Sequence, residues 1–333
     1  MSRRLVTLLL LATLPLAAHA TTFKIASLAP DGTSWMKEMR AGAEEVKKRT
    51  EGRVKFRFYP GGIMGNDKSV LRKMRVGQLH GGALTGGGVA MIYPEAQVYT
   101  VPFSFHDYDE VDYARKLMDP VLIAGLKEKG YISFGISEGG FAYLMSNSPV
   151  GGIDDLKGLK VWVPEGDAIS RAAFEASGIS PVSLPLTDVL TGLQTGLIDT
   201  IASSSMGAIA LQWHTRVKHL THSPLMYLYG SMVVSAKQFN KLSTGDQQIV
   251  TEVMGDVFKR LNHLNRKDNQ SALGALQQQG IGFVTPNEVE TQRWRASLST
   301  AMQQLINDGL FDPAMLEQLK GHLQDFRSTR TAK

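Results

Sequence analysis

The sequence predicts an α/β protein with two lobes. Strand-like and helix-like segments alternate from residue 23 onward, which is the order expected for a largely parallel sheet covered by helices. The chain has 333 residues, and a single hydrophobic core rarely serves so many. Residues 243–279 are rich in Gln, Asn, Lys and Glu and carry apolar residues at helical spacing. We therefore expect long amphipathic helices there that pack on the sheet and brace the lobes.

The first twenty residues have the three-part pattern of a secretory signal peptide. Two arginines precede an apolar run over residues 5–17, and the small-x-small triplet Ala18-His19-Ala20 follows it. The run is too short to cross a bilayer, which takes about 20 apolar residues, and Pro15 interrupts it. We predict export to the periplasm with cleavage after Ala20. The basic start leaves the route open between the general and the twin-arginine pathways.

The first elements after the leader are well marked. Residues 23–26 have the pattern of a buried strand that leads to the turn Pro30-Asp31-Gly32. Apolar residues then recur every three to four positions, which predicts a helix that begins after Thr33 or Ser34 and stops at Gly52. Residues 54–58 alternate apolar and basic side chains, as a half-buried strand does.

Later segments repeat this pattern with shorter elements. Helical spacing predicts helices over residues 68–77 and 167–177. Apolar runs predict strands over 79–84, 160–163, 180–184 and 197–202. The last of these strands opens into the polar run 203–205.

Composition and motifs argue against several classes of function. The net charge is +5, but basic and acidic residues are interspersed, which does not favour nucleic-acid binding. The chain has no Cys, which excludes disulfides and a thiol nucleophile. It also lacks the G-x-S-x-G, H-E-x-x-H and phosphate-loop motifs, and we predict neither a metal nor a cofactor.

A periplasmic hydrolase is the alternative from a different class. Residues 203–205 are serines that could supply a nucleophile, with His214 as its base. Turn or ligand contacts explain the serines more simply, and the spacing of His214, His219 and His222 does not match a zinc site. A hydrolase would turn its ligand over, whereas a binding protein would only change its shape or melting temperature.

Segments in both halves of the chain carry a specific set of motifs. They are Tyr59-Pro60-Gly61-Gly62, Val101-Pro102-Phe103, residues 155–164 (DLKGLKVWVP) and residues 193–199 (LQTGLID). In this order they resemble the solute-binding proteins of TRAP (tripartite ATP-independent periplasmic) transporters, of the DctP type. The resemblance covers nearly the whole mature chain.

The resemblance implies a two-lobed periplasmic-binding-protein fold with crossing hinge strands and a long bracing helix. Lobe I would comprise residues 21–139 and 228–267, and lobe II residues 140–227 and 268–333. The resemblance also implies a small-molecule ligand held between the lobes, small and large TRAP membrane subunits as partners, and no cofactor or catalysis. An additional periplasmic partner stays open, as does a sensor role in which the protein presents its ligand to a receptor.

Three positions depart from the family's ligand-binding pattern, and a fourth keeps an apolar wall residue. Members usually clamp a ligand carboxylate with an arginine where this chain has Trp162, and a second arginine aligns with Ala142. Ser203 replaces a usual asparagine, and Leu186 stands where an aromatic or apolar wall residue is common. Trp162 can stack on a ring, pack on an alkyl chain or turn into the core of its lobe. We therefore predict an apolar, aromatic or neutral ligand.

Seven further residues are expected at the cleft on weaker grounds. Phe141 and Trp213 fit a lobe core equally well, and Glu138 is either a solvated loop charge or a partner for a cationic ligand. The full set is Asp67, Thr85, Glu138, Phe141, Ser204, Met206 and Trp213.

Overall fold

A computed structural model describes residues 20–309 and 312–331 of the chain. The predicted signal peptide therefore lies outside the described residues, apart from Ala20. The described strands are β1 (Thr21–Ser27), β2 (Val54–Tyr59), β3 (Gly81–Thr85), β4 (Tyr131–Ser146), β5 (Trp162–Pro164), β6 (Val182–Leu184), β7 (Thr200–Ser204), β8 (His219–Ser235) and β9 (Gly282–Val284). The predicted α/β class is confirmed.

Helices connect most of these strands, and four short 3₁₀ turns add to them in the described part of the chain. The α-helices are α1 (Ser34–Arg49), α2 (Asp67–Arg75), α3 (Gly86–Ala90), α4 (Tyr108–Glu128), α5 (Ala168–Ala176), α6 (Val189–Thr195), α7 (Ser205–Ala210), α8 (Ala236–Phe239), α9 (Thr244–Gln278), α10 (Glu288–Asn307) and α11 (Pro313–Thr331). Thr33 caps α1, since its hydroxyl accepts from the Met36 N–H at 3.3 Å.

The strands form one large sheet and one small one. The order in the large sheet is β2-β1-β3-β8-β4-β7, and β9 pairs with the outer part of β8. β1 is parallel to β2 and β3, as the strand, helix, strand order predicts. β5 and β6 form a separate parallel pair.

The two longest strands, β4 and β8, cross from one end of the molecule to the other. They pair antiparallel from Tyr131 with Ser235 to Ser146 with His219. At one end β8 also pairs with β3. At the other end β4 pairs with β7, and β8 with β9. Both lobes are therefore built onto the same pair of strands.

The register of this pair shifts at three places, between Ser133 and Ile136, Glu138 and Gly140, and Ala142 and Leu144, and the second shift lies midway along β4. Gly140 has a φ of 88°, and a Cβ there would lie 2.5 Å from the Asn269 side chain. Asparagines of α9 bind the backbone groups that the bulge releases. The Asn265 amide donates to the Glu138 carbonyl at 2.7 Å, and the Asn269 amide donates to the Gly139 carbonyl at 3.1 Å.

Helix α9 is a single helix of 35 residues, where the sequence predicts long helices. Its first half packs into the core of lobe I, where Val257 and Leu261 meet Ile25 of β1. Its last turns reach the core of lobe II, where Leu276 joins the cluster around Trp162. The helix thus spans both lobes in the way expected of a bracing helix.

The C-terminal helices lie against both lobes. α10 packs on α5, and α11 returns to α4, where Arg327 donates to the Glu110 carboxylate at 2.8 Å. The predicted lobe boundaries stay a prediction.

A buried ion pair joins α9 to the hinge of β4. The Glu138 side chain is fully buried, and Arg266 donates to its Oε2 at 2.6 Å. The same guanidinium donates to Asp112 of α4 at 2.7 Å and lies 4.3 Å from the centre of the Tyr108 ring. Arg266 is therefore the cation that compensates a carboxylate removed from water.

Replacing Arg266 with Ala should lower the free energy of unfolding by about 3–5 kcal/mol, because Glu138 is left as an unpaired buried charge. Arg260 on the same helix is a matched control, since it pairs with Glu38 at 2.9 Å and its own side chain is 52% exposed. Arg260→Ala should cost less than about 1 kcal/mol. Urea unfolding followed by circular dichroism measures both, and equal losses would contradict the buried-pair argument.

Candidate ligand-binding site

A cleft of about 360 Å³ lies between the two lobes. Its floor is the crossing pair near the bulge, with Gly139 on β4 and Met226 and Leu228 on β8. Lobe I supplies the ends of β1 and β3, and lobe II supplies the ends of β5 and β7. Ligands commonly bind at such strand ends in α/β sheets. Most of the accessible lining is apolar.

In both walls a strand ends at a residue with a hydroxyl group, and that hydroxyl caps the short helix that follows. Thr85 follows β3 and its hydroxyl accepts from the Gly88 N–H at 3.2 Å. Ser204 follows β7 in the same way and accepts from the Gly207 N–H at 3.2 Å. Both caps line the cleft.

Asp67 lies beneath the glycine-rich turn of lobe I and also lines the cleft. A Cβ at Gly88 would stand 2.5 Å from its carboxyl carbon, so only glycine lets the two segments approach. The Thr85 hydroxyl donates to Asp67 Oδ2 at 2.5 Å and the Thr85 N–H donates at 3.3 Å. Oδ1 is buried with no hydrogen-bond partner among the described residues. Burial raises the pKa of Asp67 to about 6, opposed by the bonds from Thr85.

Trp162 both lines the cleft and belongs to the core of lobe II. Its indole N–H donates to the Leu184 carbonyl at 3.0 Å, so the polar end of the side chain is already satisfied. The ring meets Trp213 edge-on, with 5.4 Å between the ring centroids. Both rings are nearly buried, and what they offer to a ligand is aromatic surface.

The other predicted residues divide between cleft and core. Ser203, Leu186, Met206 and Trp213 line the cleft, as does Glu138, whose carboxylate is engaged by Arg266.

Phe141 and Ala142 are not among the residues that line the cleft. The Phe141 ring packs against Tyr108 and Tyr227, at centroid distances of 4.9 and 5.9 Å. Ala142 is fully buried and pairs with Ser204 on one side and Met226 on the other. Both lie past the bulge, where β4 is enclosed by its neighbours.

Several lining residues were not predicted from the sequence. Asp167 caps α5, since its Oδ1 accepts from the Ser170 N–H at 3.0 Å, and burial raises its pKa. Glu165 follows β5, and Asp268 lies on α9. The position of Glu165 and Asp167 just after a strand that ends at Pro164 was the available signal, because strand ends meet the cleft. Asp268 has no such signal, since its segment has a helical pattern.

The serines and histidines do not form a hydrolytic site. The Ser205 hydroxyl donates to the Asn269 carbonyl at 2.7 Å, and the Ser203 hydroxyl donates to the Ser204 carbonyl at 3.1 Å. The His214 ring bonds to the Ala208 carbonyl at 3.1 Å. Within residues 20–309 and 312–331, no serine and histidine are hydrogen-bonded to each other, and no group of three or more His, Asp or Glu is placed to hold a metal ion.

The helices of the described segments include none with both the length and the apolar character needed to cross a bilayer.

Comparison with known proteins agrees with this architecture. A solute-binding protein of Verminephrobacter eiseniae is 28% identical over 284 residues, which are 84% of this chain and 82% of the relative. The sugar acid binding protein DctPAm of Advenella mimigardefordensis, solved with galactonate, matches with a TM-score of 0.85 at 20% identity, over 92% of this chain and 99% of that one. A TRAP periplasmic solute-binding protein of Xanthobacter autotrophicus, solved with β-D-galacturonate, gives a TM-score of 0.83 at 18% identity, over 91% and 99% of the two chains.

The two structures share the two-lobed fold with this chain, which confirms the predicted architecture. The model of the DctP family, described as bacterial extracellular solute-binding protein family 7, matches residues 25–308, which is most of the chain. The cleft between two lobes and the family match agree, and the chain belongs to the family 7 (DctP) solute-binding proteins of bacteria.

Proposed function

We propose that this protein binds a small solute with an apolar or aromatic body in the periplasm and delivers it to the small and large membrane subunits of a TRAP-type transporter. The observation that carries the proposal is the cleft, which both lobes line and which crosses the bulge of β4 and β8. A cleft at a hinge lets ligand binding select the closed shape, and the membrane subunits can distinguish that shape from the open one.

Contacts across the mouth of the cleft support closure as the working motion. The Asn66 amide of lobe I donates to Glu165 Oε2 of lobe II at 3.0 Å. The Lys68 ammonium lies 3.8 Å from Glu165 Oε1. Met91 reaches within 3.0 Å of the place where a Cβ of Gly166 would stand. These contacts can exist only while the lobes are closed.

The lining supports a different ligand from those of the solved relatives, which were bound to sugar acids. The Trp162 wall offers a ring whose N–H is already used. Lys68 is the single basic residue in the described lining, and its side chain is 72% exposed at the mouth. A planar guanidinium suited to a bidentate carboxylate bond is absent from the described lining.

A thermal-shift screen of the purified mature chain should find a selective rise in Tm with apolar or aromatic compounds. Binding to the native state alone raises stability by about 2.7 kcal/mol at a hundredfold excess over Kd. The screen includes simple dicarboxylates, sugar acids, amino acids, aromatic compounds and fatty acids. A rise confined to dicarboxylates or sugar acids would contradict the proposed solute.

Replacing Trp162 with Arg should weaken the binding of the best compound from that screen at least ~10-fold, which is about 1.4 kcal/mol. The reason is that a charge replaces aromatic surface. Trp162→Phe should bind more strongly than Trp162→Arg, since it keeps a ring at the wall. Isothermal titration measures both, and circular dichroism establishes that each variant is folded. Unchanged affinity in folded Trp162→Arg would remove Trp162 from the site.

Replacing Glu165 with Ala should weaken ligand binding by up to ~10-fold, because one hydrogen bond and one exposed ion pair of the closed form are lost. Glu175→Ala is the control, since among the described residues Glu175 pairs only with Arg171 of its own helix, at 3.6 Å. Small-angle scattering should show less compaction on ligand addition for Glu165→Ala alone. Equal behaviour of the two variants would exclude a latch at Glu165.

A further inference from the structure

Carboxylates outnumber cations in the cleft. The described lining contains five acidic residues and one basic residue, Lys68. The acidic residues are Asp67, Glu138, Glu165, Asp167 and Asp268. Because an apolar cavity strengthens electrostatic interactions, this imbalance bears directly on the charge of the solute.

Only two of the five carboxylates have a cationic partner. Arg266 binds Glu138 at 2.6 Å, and Lys68 lies 3.8 Å from Glu165. The other three are Asp67, Asp167 and Asp268, and none of them has an ion-pair partner within the described ranges. They come from α2, α5 and α9, so they approach the cleft from three separate elements.

Of these three carboxylates, Asp67 has the greatest need of a compensating partner. The residue is 8% exposed, and Oδ1 has no hydrogen-bond donor within the described part of the chain. A buried acceptor left without a donor is destabilising, and more so when it is charged. With a pKa of about 6, Asp67 is mostly ionised at pH 7.5. Asp67 therefore adds a negative charge to the lobe I wall of the cleft, which a positive group on the solute would balance.

Aromatic side chains border the same space. Trp162 and Trp35 both line the cleft, one from each lobe. Indole faces attract cations, and they do so more strongly when the pair is shielded from water. The walls therefore suit an apolar body and a positive group together, whereas a carboxylate would meet three aspartates that have no ion-pair partner among the described residues.

We propose that the solute is an organic ammonium ion on an apolar or aromatic body, with its charge balanced by Asp67, Asp167 and Asp268. This inference rests on the proposed function and names the chemical class of its solute. It assigns recognition to the first residue of α2, the N-cap of α5 and a residue within α9.

Two matched series test the head group while the body stays constant. Phenethylamine, 2-phenylethanol and phenylacetate form one series, and octylamine, octanol and octanoate form the other. Isothermal titration at pH 7.5 should show the amine binding at least ~10-fold more tightly than the carboxylate in each series, as charge-assisted bonds predict. Tighter binding of either carboxylate would overturn the proposal.

Substitution of the aspartates separates recognition from general stability. Asp67→Asn should weaken the binding of the amines ~10-fold and change the affinity for the alcohols by less than about threefold. The reason is that the side chain keeps its shape and loses only its charge. Asp268→Asn, on a half-buried site of α9, provides a second test if Asp67→Asn does not fold, and the amines should again be weakened selectively. Asp256→Asn is the control on the same helix, because Asp256 pairs with Lys259 at the surface at 2.9 Å.

The outcomes distinguish this proposal from the proposed function. If alcohols or carboxylates bind and compact the protein in scattering while amines do not, the ammonium proposal is wrong and solute capture stands. If no compound of any class binds or compacts the protein, both are contradicted. An equal loss of amine and alcohol binding in Asp67→Asn would assign Asp67 to the structure of the wall alone and would overturn its role in recognition.

Discussion

The antiparallel pairing of β4 with β8 is the interaction on which the rest of the structure depends. It runs from Tyr131 and Ser235 to Ser146 and His219, and the neighbouring strands of both lobes attach to it. A continuous ladder of this length would hold the lobes in one fixed orientation. The bulge at Glu138 and Gly140 interrupts it at the level of the cleft, and bulges bend and twist the strand that carries them.

Such an interruption is stable only if the released backbone groups find other partners. Helix α9 supplies them through Asn262, Asn265 and Asn269, which face the bulge at three successive turns. The same helix carries Arg266, which compensates the buried Glu138. The middle of α9 is therefore polar where a bracing helix would otherwise be apolar. A polar contact of this kind can exchange partners with water during lobe motion at lower cost than a packed apolar contact can.

The sequence predicted those parts of the fold in which periodicity is unbroken. β1, α1 and β2 lie close to their predicted positions. β7 begins at Thr200 rather than at the predicted residue 197, because Gly196 turns the chain with a φ of 71° and Leu197 is 51% exposed. The crossing strands followed only from the family resemblance. Glycines interrupt β4, and both faces of the pair are buried, so neither strand shows the alternation that identifies a half-buried strand.

The residues that line the cleft also fall into two groups, those placed by the local sequence and those placed by tertiary packing. The hydroxyl caps Thr85 and Ser204 follow directly from strand ends, whereas Asp67 and Asp268 reach the cleft only through the packing of α2 and α9. Backbone pairing determines the fold, and very different sequences can form the same pairing. Two solved structures match this chain with TM-scores of 0.83 and 0.85 at only 18% and 20% identity. In the proposed function, ligand choice depends on a few side chains such as Trp162, which the ladder does not constrain. A shared fold therefore does not transfer a relative's solute, and the charge of the lining is the stronger guide to what this cleft binds.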